Sequence, residues 1–244
     1  MSEALRPCAV VTGGSAGIGR AICETLLGEG RRVVSLDLAP PAFEHPALTA
    51  IRVDLADREA TRRVAAEVAE RHAPTTLVHN AGVIRPAALA DVNLADLDAL
   101  VELHLGAAIQ LVQAMLPGMR ERRFGRVVLI SSRAALGAAT RTAYSATKAA
   151  LIGMARTWAL ELAADGITVN VVAPGPVRTD MYHGIVAAGS EQDLRLAASI
   201  PVGRIGEAGD VARAVAFFAA PANGYVTGQT LFVCGGSSVS SLKV

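Results

Sequence analysis

The sequence predicts an α/β fold built on a parallel sheet, and three observations predict it. Apolar runs of strand length alternate with amphipathic stretches of helix length along the chain, which is the pattern of βαβ units. The apolar runs are near-continuous, and aromatics make up only 4% of the residues; strands buried on both faces read this way. No linker, repeat or low-complexity tract interrupts the alternation, so the 244 residues, 52% of them hydrophobic, read as one domain over 1–244.

The first strand is CAVVTG (8–13), followed by a glycine-rich turn and a helix over 17–29. Strands RVVSLD (32–37) and AIRVD (50–54) come next, then a helix over 57–71 and the strand TLVHNAG (76–82). A helix over 94–120 leads to RVVLIS (126–131), and a helix over 142–164 leads to ITVNVVAPG (167–175). The last pair is a helix over 208–219 and the strand TLFVCGG (230–236). Residues 176–206, rich in Gly, Pro and Ala, break the rhythm and read as a long irregular loop. In a compact domain such a loop is usually a lid or a binding segment.

Composition narrows the function. Net charge is +1 with no basic tract, which argues against nucleic acid or an anionic membrane surface as partner. Cys8, Cys23 and Cys234 lie far apart without a CxxC or Cys/His cluster, so neither a metal site nor a disulfide framework is expected. The opening MSEALRP has no apolar core and no apolar run approaches 18 residues, which makes a cytoplasmic location the default.

The turn after the first strand is Thr12-Gly13-Gly14-Ser15-Ala16-Gly17-Ile18-Gly19. Strand, glycine turn, then helix is the context in which glycines let backbone approach a pyrophosphate and a helix N-terminus takes its charge. Asp37 ends the second strand, 18 residues after Gly19. A carboxylate there accepts hydrogen bonds from ribose hydroxyls and repels a 2′-phosphate. Ala16 and Leu38 bring no cation, so NAD(H) is favoured over NADP(H). Arg31 and Arg32 are the nearby cations to check, and a solvated loop aspartate is the plain alternative. Asp54-Leu55 and Asn80-Ala81-Gly82 also close strands at their carboxyl ends, where open parallel sheets bind ligands. Asp54 can contact adenine, and Gly82 leaves room for a ribose. Asn80 is either a ligand residue or a fixture of neighbouring backbone.

Tyr144 and Lys148 stand four apart in TAYSATKAA, on one face of a helix. An ammonium beside a phenol favours the phenolate and is expected to draw its pKa toward neutrality, giving a proton donor and acceptor. Ser131 and Ser132 close the fifth strand, and only one of two neighbouring strand residues faces a given side.

These motifs carry a resemblance. TGGSAGIG, DL at 54–55, NAG at 80–82, ISS at 130–132, YSATK at 144–148, PGPVRTD at 174–180 and YVTGQTLFVCGG at 225–236 occur in an order and spacing similar to the short-chain dehydrogenase/reductase family over essentially the whole chain. The likeness is to β-ketoacyl reductase-like and polyol dehydrogenase-like members. It implies a single Rossmann-type, doubly wound sheet of seven parallel strands and a homotetramer. It also implies that Ser132 bonds the substrate oxygen, Tyr144 is the general acid/base, and Lys148 supports Tyr144 and holds the nicotinamide ribose. Aligning RVVLISS selects Ser132, although its spacing of 12 to Tyr144 is one short of many relatives and Ser131 fits 13. Pro174, Gly175, Val177 and Thr179 fall where the family meets the nicotinamide, and Ser15, Ile18 and Leu55 complete the cofactor set.

Two positions depart from the family. His104, in Glu102-Leu103-His104-Leu105-Gly106, stands where the family has an asparagine that holds a water behind the lysine. It either relays protons in altered form or is a satisfied core histidine. Cys234 stands where relatives often carry aspartate, as apolar filler or a reactive thiol. Arg133 and Arg141 flank the catalytic loop, either meeting an anionic substrate or simply solvated. The expected activity is NAD(H)-dependent interconversion of a secondary alcohol and a ketone. The alternatives are an NADP(H)-dependent 3-oxoacyl thioester reductase and a non-catalytic dinucleotide-binding regulator.

Overall fold

Seven parallel strands form one sheet in a computed structural model that describes residues 7–239. They are β1 (Cys8–Thr12), β2 (Arg32–Asp37), β3 (Leu48–Arg52), β4 (Thr76–His79), β5 (Gly125–Ile130), β6 (Ile167–Pro174) and, last in the chain, β9 (Thr230–Val233). Their spatial order is β3-β2-β1-β4-β5-β6-β9. The chain therefore reverses its direction of travel between β1 and β4, and a crevice opens beyond their carboxyl ends. The expectation drawn from MSEALRP falls on residues 1–6, outside the described residues.

The near-continuous apolar strands are explained by two cores. On β1, Cys8 and Val10 face one core and Ala9 and Val11 the other. The first core lies under α2 (Arg58–His72), α4 (Ala107–Glu121) and α5 (Thr142–Leu162), with Val68, Leu111, Met115 and Leu151 fully buried. The second lies under α1 (Gly17–Gly28) and α8 (Ala208–Ala219), around Ile22, Leu26, Val215 and Phe218. The inner strands β2, β1, β4, β5 and β6 are covered on both faces in this way, whereas the edge strands β3 and β9 are only partly buried.

The boundaries differ from expectation where side chains or glycines intervene. β4 stops at His79, because Asn80 and Ala81 turn away to donate their N–H groups to Thr12 Oγ1, both at 2.9 Å. β9 stops at Val233 because Gly235 (φ 61°) and Gly236 (φ 89°) leave the extended region. β3 starts at Leu48 and ends at Arg52, so Asp54 lies past the strand. Asp57 is not helical but caps α2, accepting from Glu59 and Ala60 N–H at 2.9 Å.

The expected helix over 94–120 is interrupted. α3 (Leu94–Val101) passes through a π turn at Glu102–Gly106 into α4. Leu94–Glu121 also has the length and hydropathy of a membrane span, contrary to the expectation that no apolar run comes near that length. Its buried side, Ala107, Leu111, Met115 and Met119, is built into the first core.

The stretch 176–206 is not an irregular loop. It holds β7 (Val177–Arg178), α6 (Asp180–His183) and α7 (Glu191–Ser199), and β7 pairs in parallel with β8 (Gly206–Glu207). One buried carboxylate organises it. Asp193 accepts from Tyr182 Oη at 2.5 Å, Arg178 Nη1 at 3.2 Å and Gly189 N–H at 3.1 Å.

Candidate active site

The carboxyl ends of the sheet open into a cleft of about 600 Å³. Gly13, Gly17, Ile18, Gly19, Asp37, Asp54, Leu55, Asn80, Gly82, Ser132, Tyr144, Lys148, Pro174, Gly175, Val177 and Thr179 all line it. Of the residues expected at the site, Ser15 and His104 do not.

One end of the cleft is built from backbone. α1 begins at Gly17 with no side-chain cap from Ala16 and no acidic residue in its first turn. Its first N–H groups are therefore free for an anion. Gly13 (φ 66°) and Gly17 (φ 53°) sit in the left-handed region that side chains resist. A Cβ on Gly19 would lie 1.9 Å from Gly13 O. One on Gly17 would lie 3.2 Å from Thr179 Cγ2, so the start of 176–206 reaches across to the glycine turn. This cradle fits a dinucleotide pyrophosphate. Asp37 at the end of β2 accepts from Ser15 N–H at 2.9 Å and from Ala39 N–H at 3.2 Å. Ser15 Oγ donates to Ala39 O at 2.7 Å. Ser15 is thus a positioning residue for Asp37 rather than part of the cleft wall. Arg31 bonds Glu29, Thr76 and Ala219 O, and Arg32 bonds His72 O; neither lines the cleft. Asn80 proves to be the fixture, its Nδ2 donating to Thr12 O and Gly13 O at 3.1 Å each.

The other end is built from side chains. Ser131 Oγ donates to Lys148 O at 2.6 Å, which commits it to backbone. Ser132 Oγ accepts from Ala134 N–H at 3.1 Å and lines the cleft beside the Tyr144 phenol. Lys148 is buried, with Nζ donating to Ile130 O at 2.9 Å and lying 5.7 Å from the Tyr144 ring centre. The electrostatics differ from expectation. Burial pushes the Tyr144 phenol up, and the counterweights are the Ser132 hydroxyl and the charge of Arg141. Lys148 is not among them, and its own burial lowers its pKa to about 7.

His104 is fully buried in the π turn. Its Nε2 accepts from Val83 N–H at 3.3 Å, so the ring proton sits on Nδ1 and is given to Thr147 Oγ1 at 2.9 Å. Thr147 Oγ1 passes its own proton to Ala143 O or Tyr144 O, both at 3.1 Å. Burial, with Lys148 and His79 nearby, lowers the His104 pKa to about 2. Both nitrogens are spent, and the ring is a strut between the 80–84 turn and α5. Sequence reasoning missed two members of this support: Thr147, and His79, whose Nδ1 lies 3.1 Å from Thr12 Oγ1. The signals were the polar residues at the end of an apolar strand and on the inner face of α5. Cys234 is a free buried thiol, 3.2 Å from Ser238 Oγ.

Comparison with known proteins agrees with this geometry. The family model described as enoyl-(acyl carrier protein) reductase matches residues 13–238. The chain belongs to the short-chain dehydrogenase/reductase family. The 3-oxoacyl-(acyl-carrier-protein) reductase of Haemophilus influenzae is 36% identical over 242 residues, covering 95% of this chain and 98% of the relative. A (2S)-((R)-hydroxy(phenyl)methyl)succinyl-CoA dehydrogenase subunit of Thauera aromatica is 37% identical over 240 residues, 94% of each chain. A putative NAD(P)-dependent gluconate 5-dehydrogenase of Beutenbergia cavernae, whose crystal structure holds NADP at low occupancy, is 34% identical with a TM-score of 0.90. The match covers 98% of this chain and all of that one. This short-chain dehydrogenase/reductase is an oxidoreductase with a dinucleotide cofactor.

Proposed function

We propose that the enzyme interconverts a secondary alcohol and a ketone with NAD(H). The observation that carries the cofactor choice is Asp37. Its carboxylate lines the cleft at the end of β2, held from both sides by backbone N–H groups. The cations lining the cleft, Arg133, Arg141 and Lys148, all belong to the Tyr144 end. A 2′-phosphate at Asp37 would meet a fixed negative charge and no counter-charge.

A bound nicotinamide supplies the hydride acceptor or donor. Ser132 orients the substrate oxygen, and Tyr144 Oη takes its proton as the carbinol C–H is lost, or returns it in reduction. Lys148, with a pKa near neutrality, resets the phenol. The reading includes a homotetramer, supported by exposed Leu160 on α5, Phe217 on α8, Leu231 on β9 and Tyr225 in the loop between α8 and β9. The three buried free thiols suit a reducing, cytoplasmic compartment.

The second reading, an NADP(H)-dependent 3-oxoacyl thioester reductase, is favoured by relatives such as that of Haemophilus influenzae and opposed by Asp37. The test is kcat/KM with each cofactor across a panel of secondary alcohols. NAD is expected to lead NADP by roughly 100-fold, with the lead collapsing in Asp37→Ala. Better use of NADP by the wild type would overturn the cofactor assignment. Tight NAD binding without turnover would favour a regulator.

A further inference from the structure

We propose that Arg141, assisted by Arg133, forms an anion-binding end of the substrate pocket, so that the alcohol or ketone taken by this enzyme carries a carboxylate a few bonds from the reacting carbon. The inference rests on the oxidoreductase reading above and names its substrate class.

The two arginines line the cleft beside Ser132 and Tyr144. Elsewhere on the protein Arg20, Arg58, Arg62, Arg71 and Arg120 each meet a glutamate or aspartate. Among the described residues Arg52, Arg63 and Arg156 also meet none, but they are exposed outside the cleft, whereas Arg133 and Arg141, which meet none, line it. Arg133 is half-buried and makes no side-chain hydrogen bond among the described residues. Arg141 uses one nitrogen, Nη1, on Thr140, donating to its Oγ1 at 2.7 Å and its carbonyl at 3.2 Å. Nε and Nη2 remain to be filled, and a guanidinium edge with two donors matches a carboxylate.

The aim of Arg141 is built in. Thr140 adopts φ 60°, a conformation that a β-branched residue resists and that concentrates at functional sites. In that conformation its carbonyl takes the Ala87 N–H at 3.0 Å while its hydroxyl holds Arg141. A parallel bridge between Ala87 and Arg141 fixes the backbone further. A solvated loop arginine needs none of this.

Position decides the size of the ligand. Arg141 precedes Tyr144 by one helical turn and lies close enough to weigh on the phenol. Its anion must sit near the reacting carbon. The phosphates of an acyl carrier arm lie a whole arm away from their carbonyl, so a small hydroxy or oxo acid fits better than a long thioester. Met181, Ile185, Val186 and Leu196 wall the remaining space with carbon. Asp180 is the one carboxylate lining this end, against Arg133, Arg141 and Lys148.

The test uses full-length enzyme, NAD or NADP in excess, and short 2-, 3- and 4-hydroxy acids, each beside its methyl ester. For the wild type, kcat/KM for the best acid should exceed that of its ester by roughly 10- to 100-fold, the worth of charge-assisted hydrogen bonds. In Arg141→Gln that ratio should fall to near unity, with Arg141→Lys intermediate and Arg133→Gln a smaller drop. Equal use of acid and ester by the wild type, an equal loss of both in Arg141→Gln, or preference for a 3-oxoacyl thioester over every acid would each overturn the proposal. If neither acids nor esters are turned over, the secondary-alcohol reading fails on its own, and binding of the acids to the NADH complex, followed by NADH fluorescence, still decides the handle. Binding of acid but not ester, lost in Arg141→Gln, upholds it; no preference overturns it.

Discussion

The two ends of the cleft are held by different kinds of bond. At the adenosine end the contacts are backbone. Gly13 N–H meets Leu36 O at 2.8 Å, Val53 N–H meets Asp37 O at 2.9 Å, and the prominent side chains, Asp37 and Asn80, are themselves tied to main-chain groups. At the substrate end side chains carry the bonds, to one another (Tyr182 and Arg178 to Asp193, Arg141 to Thr140, His104 to Thr147) and to main chain (Lys148 to Ile130 O, Ser131 to Lys148 O). Backbone contacts leave no room for an added atom and fix one ligand, the dinucleotide. Side-chain contacts can be exchanged residue by residue, which is how one scaffold accepts different substrates.

The largest effect should come from adding one carbon at the backbone end. Gly19→Ala places a Cβ 1.9 Å from Gly13 O, and a main-chain oxygen cannot swing aside. The expected cost is about 3 kcal/mol or more, a drop of roughly 6–12 °C in Tm, with dinucleotide binding lost in titration. Gly28→Ala, at the far end of the same helix and with nothing within 4 Å of the added carbon, should instead stabilise by up to about 1 kcal/mol. Tolerance of Gly19→Ala would break the contrast.

That difference also explains what could be read from the sequence. The glycine turn, the strands and the helices around them follow from local periodicity and backbone need, and Gly13, Gly17, Gly19 and Asp37 fall where expected. The π turn at Glu102–Gly106 does not, because one extra residue in a turn leaves an apolar pattern almost unchanged. α6 and α7 were hidden because a four-residue and a nine-residue helix depend on the tertiary bonds of Asp193 rather than on their own propensity. The spacing of Tyr144 and Lys148 gives their proximity but not their burial, and burial sets the direction of both pKa shifts.

A second test sits between the two ends. Lys148 is charged up to pH 10.5 in an unfolded chain and up to about 7 in the fold. Between those values folding releases a proton, so wild-type stability rises with pH through the window. Lys148→Met removes the buried charge and leaves Ile130 O without its donor. A penalty of up to about 5 kcal/mol is relieved, against about 1–3 kcal/mol for the orphaned carbonyl. The cofactor-free variant should therefore melt higher than wild type below pH 7, lose that advantage as pH rises toward 10.5, and be inactive. Calorimetry across pH checks it; a stability difference that does not vary with pH would show that Lys148 is not held neutral by burial.

The smallest effect should come from the side-chain end. Tyr182→Phe removes the 2.5 Å bond to Asp193 but leaves that carboxylate the Arg178 and Gly189 donors. α6 then loses its direct tie to α7, while the apolar wall of Met181, Ile185, Val186 and Leu196 keeps its composition. Closure over the substrate should become less complete, and closure is realised on binding rather than in the proton transfer. KM for the substrate should rise several-fold, kcat should change less, and the affinity for the dinucleotide should hold. Dinucleotide affinity falling in step with substrate KM would mean that the two ends are coupled through Thr179, which caps α6 and also closes against Gly17. Their separation into a backbone-built and a side-chain-built half would then be one of construction and not of energy.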